Sequence, residues 1–376
     1  MTSQTYDVII VGAGIVGAAC LDECARAGLR TAVVEAKLIG GGATAAGMGH
    51  LVVMDDSEAQ FALTCYSQRL WQEMSAELPE SVEYDSCGTI WVATDDIEMQ
   101  EVRRKEEYYS SRGVPVEVLD ARSLTDAEPN LRKELVGGLR IPGDSVIYPP
   151  AAARFLVQRA RSRGAAAFVG SSVRSIDDGA IGLVDGTRLS ASIVVNATGS
   201  WSSLLTPGIN VKKRKGHLLI TDRYPNFARH QLVELGYLKS AHSMTSESVA
   251  FNVQPRKTGQ LLIGSSRQFG VETSEVEPSI LARMLERARE YLPGLGKLSS
   301  VRAWTGFRAA TPDKLPLIGP HPEVNKLYLA TGHEGLGITT SLATARLLVD
   351  QIIKRDPVIP FAPYLPERTI QATVHG

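Results

Sequence analysis

One pattern near the N-terminus constrains the fold more than any other. The run Tyr6-Asp-Val-Ile-Ile-Val11 leads into Gly12-Ala-Gly14-Ile15-Val16-Gly17 and then an Ala- and Leu-rich stretch. An apolar strand followed by G-x-G-x-x-G predicts a tight turn and a helix over 15–27. Gly12 permits the turn, Gly14 lets a pyrophosphate approach the backbone, and Gly17 lets helix and strand pack closely. Gly28 is a natural helix stop. Thr31–Glu35 reads as the second strand, which completes a βαβ unit of about 30 residues. Glu35 stands where its carboxylate can accept both hydroxyl hydrogens of an adenosine ribose, and an acid there disfavours a 2′-phosphate. The free N–H groups at the helix start suit a diphosphate. By itself this pattern leaves FAD and NAD both open.

Length and composition set outer bounds. The 376 residues allow about two domains. A net charge of −1 gives no reason to expect nucleic-acid binding. No apolar run is long enough for a membrane span. The stretch Val8–Val11 lacks a basic flank, follows Asp7 and is cut by glycines, so it reads as a strand rather than a targeting segment. The expected location is the cytoplasm or the inner-membrane surface. Cys20, Cys24, Cys65 and Cys87 contain no C-x-x-C pair. They predict neither a zinc site nor an iron–sulfur cluster, and Cys20 and Cys24 read as small buried side chains one helical turn apart.

Further along, 58–78 reads as a helix, 89–94 as a strand and 95–113 as a charged, exposed helix. A helix over 151–163 follows Pro149-Pro150. Short strands are expected at 167–170, 173–177, 181–184, 188–190 and 193–196, then at 216–221, 249–254 and 260–265. An amphipathic helix covers 278–291. The C-terminal part reads as strands at 304–310 and 327–331, a Gly-rich turn, and a helix over 340–354. The basic run Lys212-Lys213-Arg214-Lys215 reads as a solvated strand end. Dinucleotide-like segments lie at the start, middle and end, which predicts two interleaved domains: 1–80, 145–210 and 300–376 against 81–144 and 211–299.

Three further small-residue turns favour FAD. A loop, Gly40 to His50, begins five residues after Glu35, where an NAD enzyme would run into its next helix. The strand Val195-Asn196 ends in Ala197-Thr198-Gly199, and Thr331 leads into Gly332-His333-Glu334-Gly335-Leu336-Gly337-Ile338-Thr339. Turns spread over the chain suit one long buried dinucleotide. These residues, with Trp304-Thr-Gly-Phe-Arg308 and Pro316-Leu-Ile-Gly319, resemble the D-amino acid oxidase family of flavoproteins, in the family's order and over nearly the whole chain. That family includes glycine oxidase, sarcosine oxidase, the proline dehydrogenase β subunits and the hydrogen cyanide synthase flavoprotein. The stretches Arg214–Thr221 and Gly332–Thr339 look most like the D-hydroxyproline dehydrogenase and hydrogen cyanide synthase branch.

The resemblance implies an α/β (α+β) fold: a Rossmann-like FAD-binding domain interleaved with a substrate domain on a large mixed β-sheet. It places Ile15, Val16, Glu35 and Ala36 at the ADP half, and Ala43, Thr44, Gly47 and Met48 along the pyrophosphate, ribityl chain and ring. Val173 holds the adenine through its backbone, Ala197 and Gly199 form a second turn, and Gly332 through Thr339 wrap the flavin. Sarcosine oxidases attach flavin to a cysteine just before Thr-Pro-Asp. Here 306–313 has no cysteine, which implies non-covalent FAD.

Arg308 matches the arginine that clamps the substrate carboxylate, a task suited to its fixed fork of donors. Glycine oxidase resemblance would put an arginine where this chain has Gly335, which speaks against a glycine-type pocket. Tyr237, His50, His217 and His242 are candidate pocket residues, and His50 ends the loop that should pass the ring. Each histidine reads more readily as a satisfied structural residue or a surface one. Asn252 and Gln254 face the same way on one strand and either line the pocket or pair within the sheet.

The expected reaction is dehydrogenation of a small amino or imino acid of D-hydroxyproline or D-proline type, by hydride transfer from Cα to flavin N5. Reoxidation then needs oxygen, a quinone or a partner subunit, and an oligomer is compatible. A glycine- or sarcosine-type oxidase, an electron-relaying subunit and an NAD-dependent dehydrogenase remain as alternatives.

Overall fold

Strand β1 (Thr5–Val11) is buried along most of its length, as a strand covered on both faces must be. It pairs in parallel with β2 (Thr31–Glu35) on one side and β11 (Arg188–Asn196) on the other. Helix α1 (Ile15–Arg26) makes the crossover, and Gly28 takes φ +80° just past its end. The computed structural model describes residues 5–236 and 247–369.

Two compact units emerge: 1–82, 147–213 and 307–376 in the first, 83–146 and 214–306 in the second. The first holds the sheet β17 (Leu317–Pro320), β18 (Leu327–Thr331), β11, β1, β2 and β8 (Ala166–Val169). A small antiparallel extension, β9 (Val173–Asp177) and β10 (Ala180–Leu183), joins it through β11. Ile9, Val11, Val34, Ile181 and Val194 form the core on one face. Helix α1 packs against α6 (Pro149–Ser162) and the C-terminal helix α9 (Gly337–Ile353). Arg159 of α6 and Arg163 just past its end both donate to the buried Asp22 of α1, so these helices are clamped by charge as well as by packing. The remaining elements are α2 (Gly42–Ala46), the short β3 (His50–Leu51), α3 (Glu58–Met74), which Ser57 caps, and α7 (Ser202–Leu205).

The second unit is built on a mixed sheet ordered β16 (Ser300–Ala310), β12 (Lys212–Thr221), β15 (Leu261–Phe269), β14 (Glu247–Pro255), β13 (Gln231–Glu234), β4 (Thr89–Ala93), β6 (Gly137–Ile141) and β5 (Glu117–Asp120). The unit boundaries cut β12 and β16, leaving Arg308 in the first unit. Helix α8 (Pro278–Tyr291) lies on β14 and β15, with Tyr291 stacked on Phe251 at 4.3 Å. Helices α4 (Asp96–Ser110) and α5 (Ala121–Ala127) and the short β7 (Ser145–Val146) complete the unit.

Several expectations need correction. The stretch 40–50 is not all loop: 42–46 closes one helical turn. The runs 188–190 and 193–196 are a single strand, β11. The C-terminal helix starts at Gly337, three residues before the expected 340. The basic run is not a solvated strand end. Lys212 is exposed, but Arg214 and Lys215 are buried, and the Lys215 ammonium donates to Glu277 at 2.8 Å. That hydrogen bond holds the Glu277 carboxyl below its usual range.

Candidate functional site

The end of β1 carries the first turn of the site. Gly12 has φ +99°, and a Cβ there would lie 2.8 Å from the Ala197 carbonyl oxygen. Gly17 is tighter still, since its Cβ would lie 1.9 Å from the Gly12 oxygen. Gly14 is the N-cap of α1 and has no side chain to cap the first-turn amides. Thr44, from α2, accepts from the Ile15 N–H at 2.9 Å. Glu35 ends β2 half-buried, and its two oxygens accept from the Ala13 and Lys37 N–H groups, each at 2.8 Å. The Glu35 carbonyl accepts from the Ser171 N–H at 3.0 Å, which brings the half-buried Val173 close to the end of β2. Ala36 is exposed beyond it.

A second turn follows β11. Asn196 donates to the Ser202 carbonyl and Thr206, and its own oxygen accepts from Thr198. Thr331, ending β18, donates to the Gly199 carbonyl at 3.1 Å. Asn196 and Thr331 are thus positioning residues that sequence reasoning passed over. The available signal was a polar residue closing each of two buried strands.

The third segment, Gly332 to Thr339, leads into α9. A Cβ on Gly337 would lie 3.8 Å from Val16 Cγ2, and one on Gly47 would meet Ile338 Cδ1 at 2.7 Å. The starts of α1 and α9 and the end of the 40–49 loop therefore converge, with Ala43 exposed and Met48 buried in that loop. Thr339 donates to the His50 carbonyl at 2.8 Å, and the half-buried His50 lies beside this segment. The Leu336 N–H returns to the His333 carbonyl at 3.0 Å.

The His333 ring is buried and meets Thr344 Oγ1 at 3.0 Å. Burial pushes its pKa down to about 3, so the ring is neutral at working pH. The unfolded chain binds a proton near pH 6.5, whereas the folded chain cannot until about pH 3, so stability falls as pH drops through that window. His333→Gln should flatten the fall in melting temperature between pH 7 and pH 5, measured on the purified protein.

Arg308 is half-buried near the end of β16. The next residue, Ala309, accepts from the Glu334 N–H at 2.8 Å, tying this strand to the loop before α9. A Cβ on Gly335 would lie 3.6 Å from Arg308 Nε. Tyr237 and His242 lie outside the described residues. His217 is fully buried; its Nε2 accepts from the Glu277 N–H and its Nδ1 meets Ser266 Oγ at 2.9 Å. Those contacts satisfy both ring nitrogens and give it a structural place in the second unit. Asn252 and Gln254 are buried in β14. Among the described residues no group of three or more metal-ligating side chains occurs, and no helix is long and apolar enough to cross a membrane.

The residues present fit an extended dinucleotide. Four small-residue segments meet around two helix N-termini, whose dipoles favour a diphosphate. Ser200 Oγ, next to the Ala197–Gly199 turn, is buried with no hydrogen-bond partner among the described residues. A buried hydroxyl in that state marks a place for a polar ligand atom.

Comparison with known proteins agrees. The family model for FAD dependent oxidoreductases, DAO, matches residues 7–351. Glycine oxidase of Geobacillus kaustophilus is 29% identical over 373 residues, covering 96% of this chain and 97% of the relative. Its crystal structure superimposes with a TM-score of 0.87 and covers 96% of this chain and 98% of that one, at 27% identity. The hydrogen cyanide synthase subunit HcnC of Pseudomonas aeruginosa is 27% identical over 426 residues, with 97% of each chain covered. With the βαβ fingerprint, the mixed sheets and a family match over most of its length, the chain belongs to the DAO family of FAD dependent oxidoreductases.

Proposed function

We propose that the protein dehydrogenates a small amino or imino acid, of D-hydroxyproline or D-proline type, to the imino product. The observation that carries this reading is Arg308, whose guanidinium lies along the loop that opens α9. An arginine there can hold a carboxylate through two parallel hydrogen bonds. When bound, FAD supplies an acceptor at N5 for the hydride leaving the substrate Cα. Arg308 fixes the carboxylate and so the direction of the Cα–H bond, and orientation of this kind supplies much of the rate. No acid–base dyad is needed if the amine enters neutral. The first unit binds the cofactor and the second supplies the substrate domain. With no cysteine at 306–313, the FAD is held without a covalent bond. Tyr237 and His50 are the further pocket candidates. The two electrons pass to oxygen, a quinone or a partner chain.

Similarity to glycine oxidase favours a second reading, oxidation of glycine or sarcosine with oxygen as acceptor. Anaerobic titration of the flavin at 450 nm with D-proline, D-hydroxyproline, L-proline, glycine and sarcosine decides between them. Bleaching by a D-proline-type substrate is the expected result. Bleaching by glycine or sarcosine alone, with rapid recovery in air, would favour the second reading. No bleaching by any of them would remove the amino-acid reading and leave a relay subunit, in keeping with the likeness to the hydrogen cyanide synthase subunit.

A further inference from the structure

Glu334 and Gly335 carry backbone conformations that run against their residue types. Glu334 has φ +52°, in the left-handed region where a side chain costs about 1 kcal/mol or more. Gly335, one residue on, is outside that region, so its backbone angles make no demand for glycine. A glycine that relieved strain would stand at 334. What Gly335 supplies is room. Among the described residues, its chain neighbours aside, an added Cβ would have within 4 Å only Arg308 Nε, at 3.6 Å, and Arg308 Cδ, at 3.7 Å. The residue is itself exposed, while His333 and Ile338 on either side are buried.

The spacing between this glycine and Arg308 is fixed rather than loose. The Glu334 N–H donates to the Ala309 carbonyl, so the loop and the strand bearing Arg308 move together. The His333 ring, which meets Thr344, anchors the loop on its other side. A side chain at 335 could not swing away with the loop and would lie against the flank of the guanidinium.

We infer that Gly335 is a specificity-determining position: its missing side chain leaves space beside Arg308 for the ring or side chain on Cα of a carboxylate held there. The ligand class is a cyclic or α-substituted carboxylic acid rather than one with a bare methylene. This rests on Arg308 as the carboxylate clamp, as in the proposed function. The discrimination available from one to four carbon atoms in such a pocket is about tenfold to a few hundredfold.

The test uses the purified holoprotein and two carboxylates that need no turnover, acetate and pyrrole-2-carboxylate, titrated through their perturbation of the flavin spectrum. In Gly335→Leu the dissociation constant for pyrrole-2-carboxylate should rise about tenfold or more, and that for acetate less than about threefold. Gly335→Ala, whose Cβ makes only ordinary contact, should fall between and serves if the leucine variant loses FAD. Equal factors for the two ligands, or no response of the wild-type flavin to either, would overturn the inference. A wild type that binds both but oxidises no amino acid would defeat the proposed function alone, because the ratio of constants still decides the role of Gly335.

Discussion

Replacing Arg308 with alanine should lower kcat/KM for the oxidised amino acid by about 10² to 10³. Removing one partner of a desolvated, hydrogen-bonded charge pair costs about 2–5 kcal/mol. The loss should appear in kcat as well as in KM, because a substrate without its carboxylate anchor presents Cα–H in many directions. Arg308→Lys should recover only part of it, since an ammonium keeps the charge but not the fork. The decisive comparison is a substrate pair. Wild type and Arg308→Ala should differ little toward pyrrolidine, which has no carboxylate, and greatly toward proline. An alanine variant with unchanged Michaelis constant and turnover for the amino acid would remove the clamp.

The same arginine shows how far sequence reasoning reaches. Arg308 was proposed from a family resemblance, whereas the dinucleotide turn was accessible directly, because it depends on residues close together in the chain. The limits of β2 follow from the same locality: the apolar run Ala32-Val33-Val34 is flanked by the polar Thr31 and Glu35. The polar ties between segments were not accessible. Asn196 and Thr331 hold their turns through Ser202 and Gly199, and no local pattern announces such partners. Lys215 fails for a similar reason. A run of four cations reads as solvated until Glu277, far along the chain, is seen beside it. The start of α9 was missed because Gly337 and Thr339 are weak helix formers; the fold recruits them with the bond from Thr339 to the His50 carbonyl. The strain at Glu334 is invisible to residue type altogether.

Gly17→Ala should be among the most damaging single-methyl substitutions in the first unit. The added Cβ would sit 1.9 Å from the Gly12 carbonyl oxygen and 3.4 Å from Ala197 Cβ. The first of these is backbone, so neither a rotamer change nor a flexible tip relieves the clash. Helix α1 must move off β1, at a cost of about 3 kcal/mol if overpacking in other cores is a guide. Against a total stability of about 5–15 kcal/mol this is a large share. Moving α1 also turns its N-terminus away from the diphosphate position, so FAD affinity should fall with stability, and the protein should purify largely colourless. Gly28→Ala is the control. Its φ of +80° makes alanine strained, but among the described residues, its chain neighbours aside, nothing lies within 4 Å of the new Cβ, so it should cost only about 1–2 kcal/mol and keep its flavin. Absorbance at 450 nm per protein and the melting temperature separate the two variants. A Gly17→Ala protein with full flavin content and wild-type melting temperature would mean that the strand–turn–helix contact does not hold the cofactor site together.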